Sequence, residues 1–371
     1  MRPGGPSQLT TGSIPTTLFG FTLPILMGNV LQSINGSVNA VWVGNFLGPA
    51  ALSATANANT VMFLLLGAVF GITMASTILI AQHMGARRPA DAKRVVGTSA
   101  TFFIGIAVLI SAVGLPSSRV ILGWMGTPAD SIDYAVAYMR VMFLALPASY
   151  AFFFIMAALR GAGDSKTPFY FLVMSVALDI VLNPLLIFGY GPVPALGIAG
   201  SATATLVAQV ASLLAMLRHI YRRGNALALH RGEFHLLRPD ATILRTLVAK
   251  GIPMGLQMIV LSSSMVMLFA VVNQFGSATA AAFAAAMQLW NYVQMPALAL
   301  SAAVSSMAAQ NIGAGLWDRV REIARTGVLF NFGMTGLPIA LLYLLNHYAV
   351  GLFLPTGSPS SPSPTRWSRR P

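Results

Sequence analysis

Asp179 sits where carboxylates are rare. The stretch "ALDIVLNPLLI" (residues 177–187) is apolar on both sides of it, Asn183 follows one helical turn later, and Pro184 comes next. A charge deep in a bilayer costs at least about 2.5–3.5 kcal/mol on insertion scales, so an acid kept there is expected to face an interior cavity and to have a function. The other carboxylates lie elsewhere. Asp91, Asp164, Glu233, Asp240, Asp318 and Glu322 fall in segments rich in Lys and Arg, and Asp130 and Asp133 fall in another connection. The chemistry open to Asp179 is the binding and release of a small cation, a proton above all, because desolvation favours the neutral form of a carboxyl group. Asn183, four residues on, shares its helical face. Pro184 removes a backbone N–H and crowds the carbonyl of Ile180, which would loosen the helix beside the acid.

Two further groups of polar side chains recur at helical spacing. Gln32, Asn35 and Asn39, with Gly28 and Gly36, form a stripe on the first apolar run. Such a stripe lines a cavity or simply glues helices together. In "FAAAMQLWNYVQMPAL" (283–298), Met287, Gln288, Asn291 and Tyr292 stand with Trp290 and Met295. Thioether and aromatic groups among a few amides make a surface for varied amphipathic cations, or else ordinary bundle packing. Enzyme signatures are missing: there is no phosphate-binding Gly-x-x-x-x-Gly-Lys-Ser/Thr, no His-Glu-x-x-His and no Gly-x-Ser-x-Gly. With no cysteine in the chain and no metal-ligating constellation, neither catalytic residues nor a resident cofactor or metal is expected.

The elements that must position these groups follow from composition. The chain is 56% hydrophobic and 8% charged, far from the roughly 25% charged residues of soluble domains. Apolar runs at 17–45, 55–81, 96–116, 136–158, 168–189, 196–217, 247–274, 279–309 and 326–354 each suffice to cross a hydrocarbon core of about 30 Å. In lipid such runs must be helices, so the expected class is an all-α polytopic membrane protein. The net charge of +13 is spread in a telling way. Lys and Arg number four in 82–95, two in 159–167, seven in 218–250 and three in 316–325, with none in 46–54, 190–195 or 275–278. That alternation is the positive-inside pattern and puts the N-terminus, residues 1–16, in the cytoplasm. It argues against nucleic acid as the partner and for anionic headgroups of membrane lipids.

The chain also repeats itself at an offset of about 228 residues: "AQHMGARRPADAKRVVGTSATF" (81–102) aligns with "AQNIGAGLWDRVREIARTGVLF" (309–330), and Pro24 with Pro253. Parallel repeats of this type bind substrates between their halves in transporters. The expected organisation is a first lobe at 17–217 holding six helices, a cytoplasmic linker at 218–246 and a second lobe at 247–354 holding three. An equal second repeat would hold six, so nine of twelve helices are expected. The Ser/Pro-rich tail 355–371 reads as a frameshift or premature end that replaced the remainder, or as a disordered tail.

At these residues the sequence resembles the multidrug and toxic compound extrusion (MATE) family of cation-coupled antiporters. The likeness rests on "LPILMGNVLQSINGSVNAVWVG", "LRGAGDSKTPF", "LDIVLNPLLIFGYGPVPALGIAGSATAT" and "MPALALSAAVSSMAAQNIGAG" and runs through most of 17–354. It implies two six-helix lobes around a V-shaped cavity, and export of small amphipathic organic cations as the lobes rock, driven by proton or sodium entry. It further implies a coupling site at Asp179, Asn183, Asn39 and Thr205, with bending at Pro24. The chain departs from the family at Asn39, where an acid is usual, and in the order of the Asp179–Asn183 pair. One carboxylate in place of two weakens the case for sodium relative to a proton. The expected setting is the inner (plasma) membrane, multi-pass, as a monomer. Open alternatives are a non-functional truncated remnant of such a transporter and a lipid-precursor flippase of related architecture, which would carry more cationic groups in its cavity.

Overall fold

A chain that must hide its backbone polar groups from lipid has little choice but helix. The computed structural model describes residues 9–189, 194–275 and 277–344, and every regular element among them is helical. In chain order these are α1 (Ile14–Gly85), α2 (Pro89–Trp124), α3 (Ile132–Gly161), α4 (Lys166–Phe188), α5 (Ile198–Arg222), a short 3-10 helix (Arg231–Leu237), α6 (Ala241–Asn273), α7 (Ser277–Gly313) and α8 (Trp317–Leu344). By length and composition, α1 to α7 each contain a stretch able to cross a membrane. The connection at 190–193, residues 345–354 of the last apolar run and the tail 355–371 lie outside the described residues.

α1 is two rods in one. Gly48 has φ 85° and ψ 177°, a conformation essentially open to glycine alone, and it separates an arm at 14–47 from one at 49–85. Counted this way, the described residues hold nine rods, one for each apolar run. The helices overshoot those runs, however. α2 starts at Pro89 and ends at Trp124, and α6 starts at Ala241, because polar turns outside the hydrocarbon satisfy their backbone bonds by the same ladder. Pro89 stands at the first turn of α2, where its missing N–H is not needed. The Asp240 carboxylate caps α6 by accepting from the N–H groups of Thr242 and Ile243 at 2.9 and 3.3 Å.

α1 packs against every other α-helix, so it is the spine of the molecule. Its second arm, α2, α3 and α5 enclose one core, in which Phe103, Phe143, Phe154, Tyr150 and Leu146 interdigitate with small alanines. A second core ties the start of α1 to the second half: Leu18, Phe21 and Ile25 meet Leu300, Ala303 and Met307. The outer wall is apolar, with Leu109, Val113 and Phe332 exposed, as a lipid-facing surface requires.

The halves approach closely where α1 and α7 end. A Cβ at Gly85 would collide with the Gln310 carbonyl, and one at Gly313 with the Gln82 carbonyl. These are equivalent positions of the repeat, "AQHMG" facing "AQNIG". The Gln310 amide also donates to the Gly161 carbonyl at 2.9 Å, and Asn311 donates to the Leu9 carbonyl at 3.1 Å. At the same end the 3-10 helix docks on α2: Lys93 Nζ reaches both Glu233 oxygens at 2.8 and 2.7 Å, and Thr101 Oγ1 donates to the Leu237 carbonyl at 2.7 Å.

Candidate functional site

Two i, i+4 pairs face each other across α1 and α4. On α1, Asn35 and Asn39 point their amides at Asp179, donating to Oδ2 at 2.8 and 2.9 Å. On α4, Asn183 stands one turn from Asp179 and donates to Asn39 Oδ1 at 2.8 Å. Thr205 closes the cluster from α5, its hydroxyl donating to Asp179 Oδ1 at 3.0 Å. Asp179 is 2% exposed and Asn183 0%. The carboxylate therefore accepts three hydrogen bonds in a site closed to solvent. That number of donors to a buried charge is what makes its burial affordable.

The cluster is also unfinished. Asn35 Oδ1 and Asn183 Oδ1 are buried acceptors with no partner, and a buried polar atom left unsatisfied costs about 1–3 kcal/mol. A cation is what the set lacks. Protonated, Asp179 becomes a donor and can serve an oxygen of this group. A sodium ion would instead draw on several oxygens at once.

The other residues singled out in the sequence fall apart from this cluster. Gln32 is exposed and lines a cavity of about 500 Å³ with Pro24, Asn29 and Arg160, between the first half and Met258 of α6. Tyr292 and Met295 border a second cavity of about 390 Å³ against Ser33, Ser37 and Trp42 of α1. Met287 is half-buried and Asn291 exposed, and neither borders a described cavity; the Gln288 side chain lies outside the described residues. Asp179 is enclosed by Asn35, Asn39 and Thr205 and does not line the two cavities described above. Pro184 leaves α4 running unbroken from Lys166 to Phe188.

Several polar contacts escaped the sequence reading. The buried Tyr138 phenol donates to Asn59 Oδ1 at 3.3 Å and lies within electrostatic reach of Asp179. Tyr150 donates to the Leu65 carbonyl at 2.9 Å, and Ser149 bonds Gln209. Asn59 lies in the second apolar run, so the logic that selects Asn35 would also have selected it. Arg160, which reads from sequence as a topology-setting loop residue, belongs to the last turn of α3 and lines the larger cavity.

Comparison with known proteins agrees with this architecture. The family model described as MatE matches residues 24–185 and 253–360. A Bacillus subtilis protein, "Probable multidrug resistance protein YoeA", is 38% identical over 334 residues, covering 90% of this chain and 72% of its own length. "Multidrug export protein MepA" of Staphylococcus aureus is 24% identical, over 90% of this chain and 72% of its own. Among solved structures, MATE in the straight conformation aligns with a TM-score of 0.85 at 24% identity, covering 93% of this chain and 76% of that one. An outward-facing multidrug resistance MATE family transporter aligns with a TM-score of 0.84 at 23% identity, over 93% and 75% respectively.

Proposed function

Because this chain belongs to the MatE family, whose members are transporters, we propose that it is a secondary active exporter of small organic compounds, driven by proton entry and working by alternating access. The observation that carries the proton is the Asp179 cluster. One buried carboxylate holds three donors, with two orphaned amide oxygens beside it. Ionised, Asp179 gathers Asn35 and Asn39 of α1 and Thr205 of α5 onto α4. Protonated, it loses much of its pull on those donors and gains an O–H to give. The hydrogen bonds that tie the first arm of α1 to α4 thus differ between the two charge states. A ligand or proton moves a conformational equilibrium only through such a difference.

The setting is the plasma membrane, with the Lys- and Arg-rich ends of the helices in the cytoplasm by the charge rule. The names of the relatives support drugs as cargo. Sodium is the second reading, favoured by the oxygen-rich surroundings of Asp179 and disfavoured by its single carboxylate. The test is uptake into inside-out vesicles under an imposed proton or sodium gradient. Asp179→Asn is expected to abolish proton-driven uptake while the protein still inserts, and undiminished proton-driven uptake in that variant would sink the assignment.

A further inference from the structure

Arg160 is the charge the export mechanism has not used. It ends α3 and lines the cavity of about 500 Å³ that lies between the first half and α6 and α7. Its backbone carbonyl accepts from the Gly163 N–H, but among the described residues its guanidinium makes no hydrogen bond and no ion pair, the salt bridges there being Lys93–Glu233, Arg94–Asp240 and Arg119–Asp133. Among the described residues no Asp or Glu lines the cavity, and the guanidinium is the one ionised side chain there. The rest of the wall is largely apolar, including Phe63, Phe153 and Phe169, with the amides of Asn29 and Gln32 among its polar groups.

Ser165 lines both this cavity and a neighbouring one of about 530 Å³, where Lys166, His219 and Arg223 stand against Asp164. One Asp164 oxygen is already engaged by the N–H groups of Lys166 and Thr167, at 3.1 and 2.9 Å. The neighbouring cavity therefore carries excess positive charge.

We propose that this cavity takes a small amphipathic organic anion, with its carboxylate, phosphate or sulfonate on Arg160 and its apolar body among the phenylalanines. A guanidinium offers a planar fork of donors that fits such oxyanions, and that of Arg160, on a part-buried residue, has no carboxylate beside it in the cavity wall. A cationic ligand would meet the wrong sign here, and the sealed Asp179, 2% exposed, would not compensate it. This departs from the organic cations that the family resemblance implies. The proposal rests on the export reading and names its cargo. The cavity is linked to the coupling cluster through one helix, since Gln32 lies three residues before Asn35, about 4.5 Å along α1.

The test uses the purified full chain in phosphatidylcholine nanodiscs, with tritiated 1-pyrenebutanoate as the anion and pyrenebutyltrimethylammonium as its matched cation, each corrected against empty discs. Wild type is expected to bind the anion saturably and more tightly than the cation. Arg160→Gln is expected to weaken anion binding by about tenfold or more, as for loss of a desolvated charge partner, while Arg160→Lys keeps most of it. Gln32→Glu, at an exposed position, sets a carboxylate in the same cavity and is expected to weaken the anion and favour the cation. It carries the test if Arg160→Gln fails to fold. Equal anion affinity in wild type and in these variants, or tighter binding of the cation by wild type, overturns the proposal. Retention of phosphatidylglycerol by wild type but not Arg160→Gln, with the pyrene anion excluded, assigns the arginine to a lipid phosphate and also overturns it. Proton-driven uptake of the anion into inside-out vesicles is read separately. Intact binding without uptake counts against the export reading and leaves the site assignment standing.

Discussion

Asn39 is the residue on which the buried network turns. It donates to Asp179 and accepts from Asn183, at 2.9 and 2.8 Å, whereas Asn35 only donates. Losing one donor to a buried charge costs about 1.5–3 kcal/mol, and stranding a second buried group adds about 1–3 kcal/mol. Asn39→Ala is therefore expected to lower the thermal midpoint of the detergent-solubilised protein more than Asn35→Ala, with Thr205→Val close to the latter. Equal effects at Asn35 and Asn39 would mean that Asn183 does not depend on this partner. The pairing was half legible. Helical spacing put Asp179 with Asn183 and Asn35 with Asn39, and the inventory of acids left Asp179 alone in the apolar runs. Spacing within a helix says nothing of what faces it, so the meeting of the two pairs, and the role of Thr205, came from family resemblance and then from geometry. The place of Arg160 in a cavity wall was not legible for the same reason: a charge next to a loop looks alike whether it faces water or a cavity.

Among the elements, α1 depends on one backbone angle. At φ 85° and ψ 177°, Gly48→Ala is expected to cost about 1–3 kcal/mol. Gly36→Ala, where a Cβ meets nothing within 4 Å, is expected to be neutral or stabilising, and thermal unfolding of the two variants decides it. The linker gives a pH-dependent case. Hydrogen bonding to the Lys93 ammonium, with help from the His230 backbone N–H, holds the Glu233 carboxyl below its ordinary 4.5. A lowered folded value means that the clamp stabilises above the ordinary carboxylate range and is lost as pH falls through the lowered value. Pepsin is therefore expected to cleave the linker faster in wild type as the solution is acidified below 4.5, relative to Glu233→Gln, which lacks the clamp throughout. At neutral pH the same variant should be cut by trypsin at Arg231 about two to five times faster, the scale of an exposed ion pair. Hydropathy read the number of rods because lipid imposes it. It missed the helix ends and the 3-10 helix, since polar turns beyond the bilayer carry no hydropathy signal.

For the whole molecule, the sequence repeat implies two related halves but says nothing of the same motif of each meeting the other. Gly85 abuts the Gln310 carbonyl and Gly313 the Gln82 carbonyl, so the C-terminal ends of α1 and α7 close on each other with no room for a side chain. If the halves rock to carry cargo, this crossing must part in one state and re-form in the other, and a single added side chain should bias the balance. Gly313→Val and Gly85→Val are expected to favour the parted state, since a β-branched side chain cannot share the space with a carbonyl. Because the chain has no cysteine, spin labels at Arg88→Cys and Ala314→Cys report on this end alone, both positions being exposed. In the parent the distance distribution should hold a short population. In either valine variant that population should shrink in favour of a longer one, and proton-driven uptake should fall because re-closure is hindered. An unchanged distribution with reduced uptake would mean that the crossing tolerates the side chain and that the halves part somewhere else.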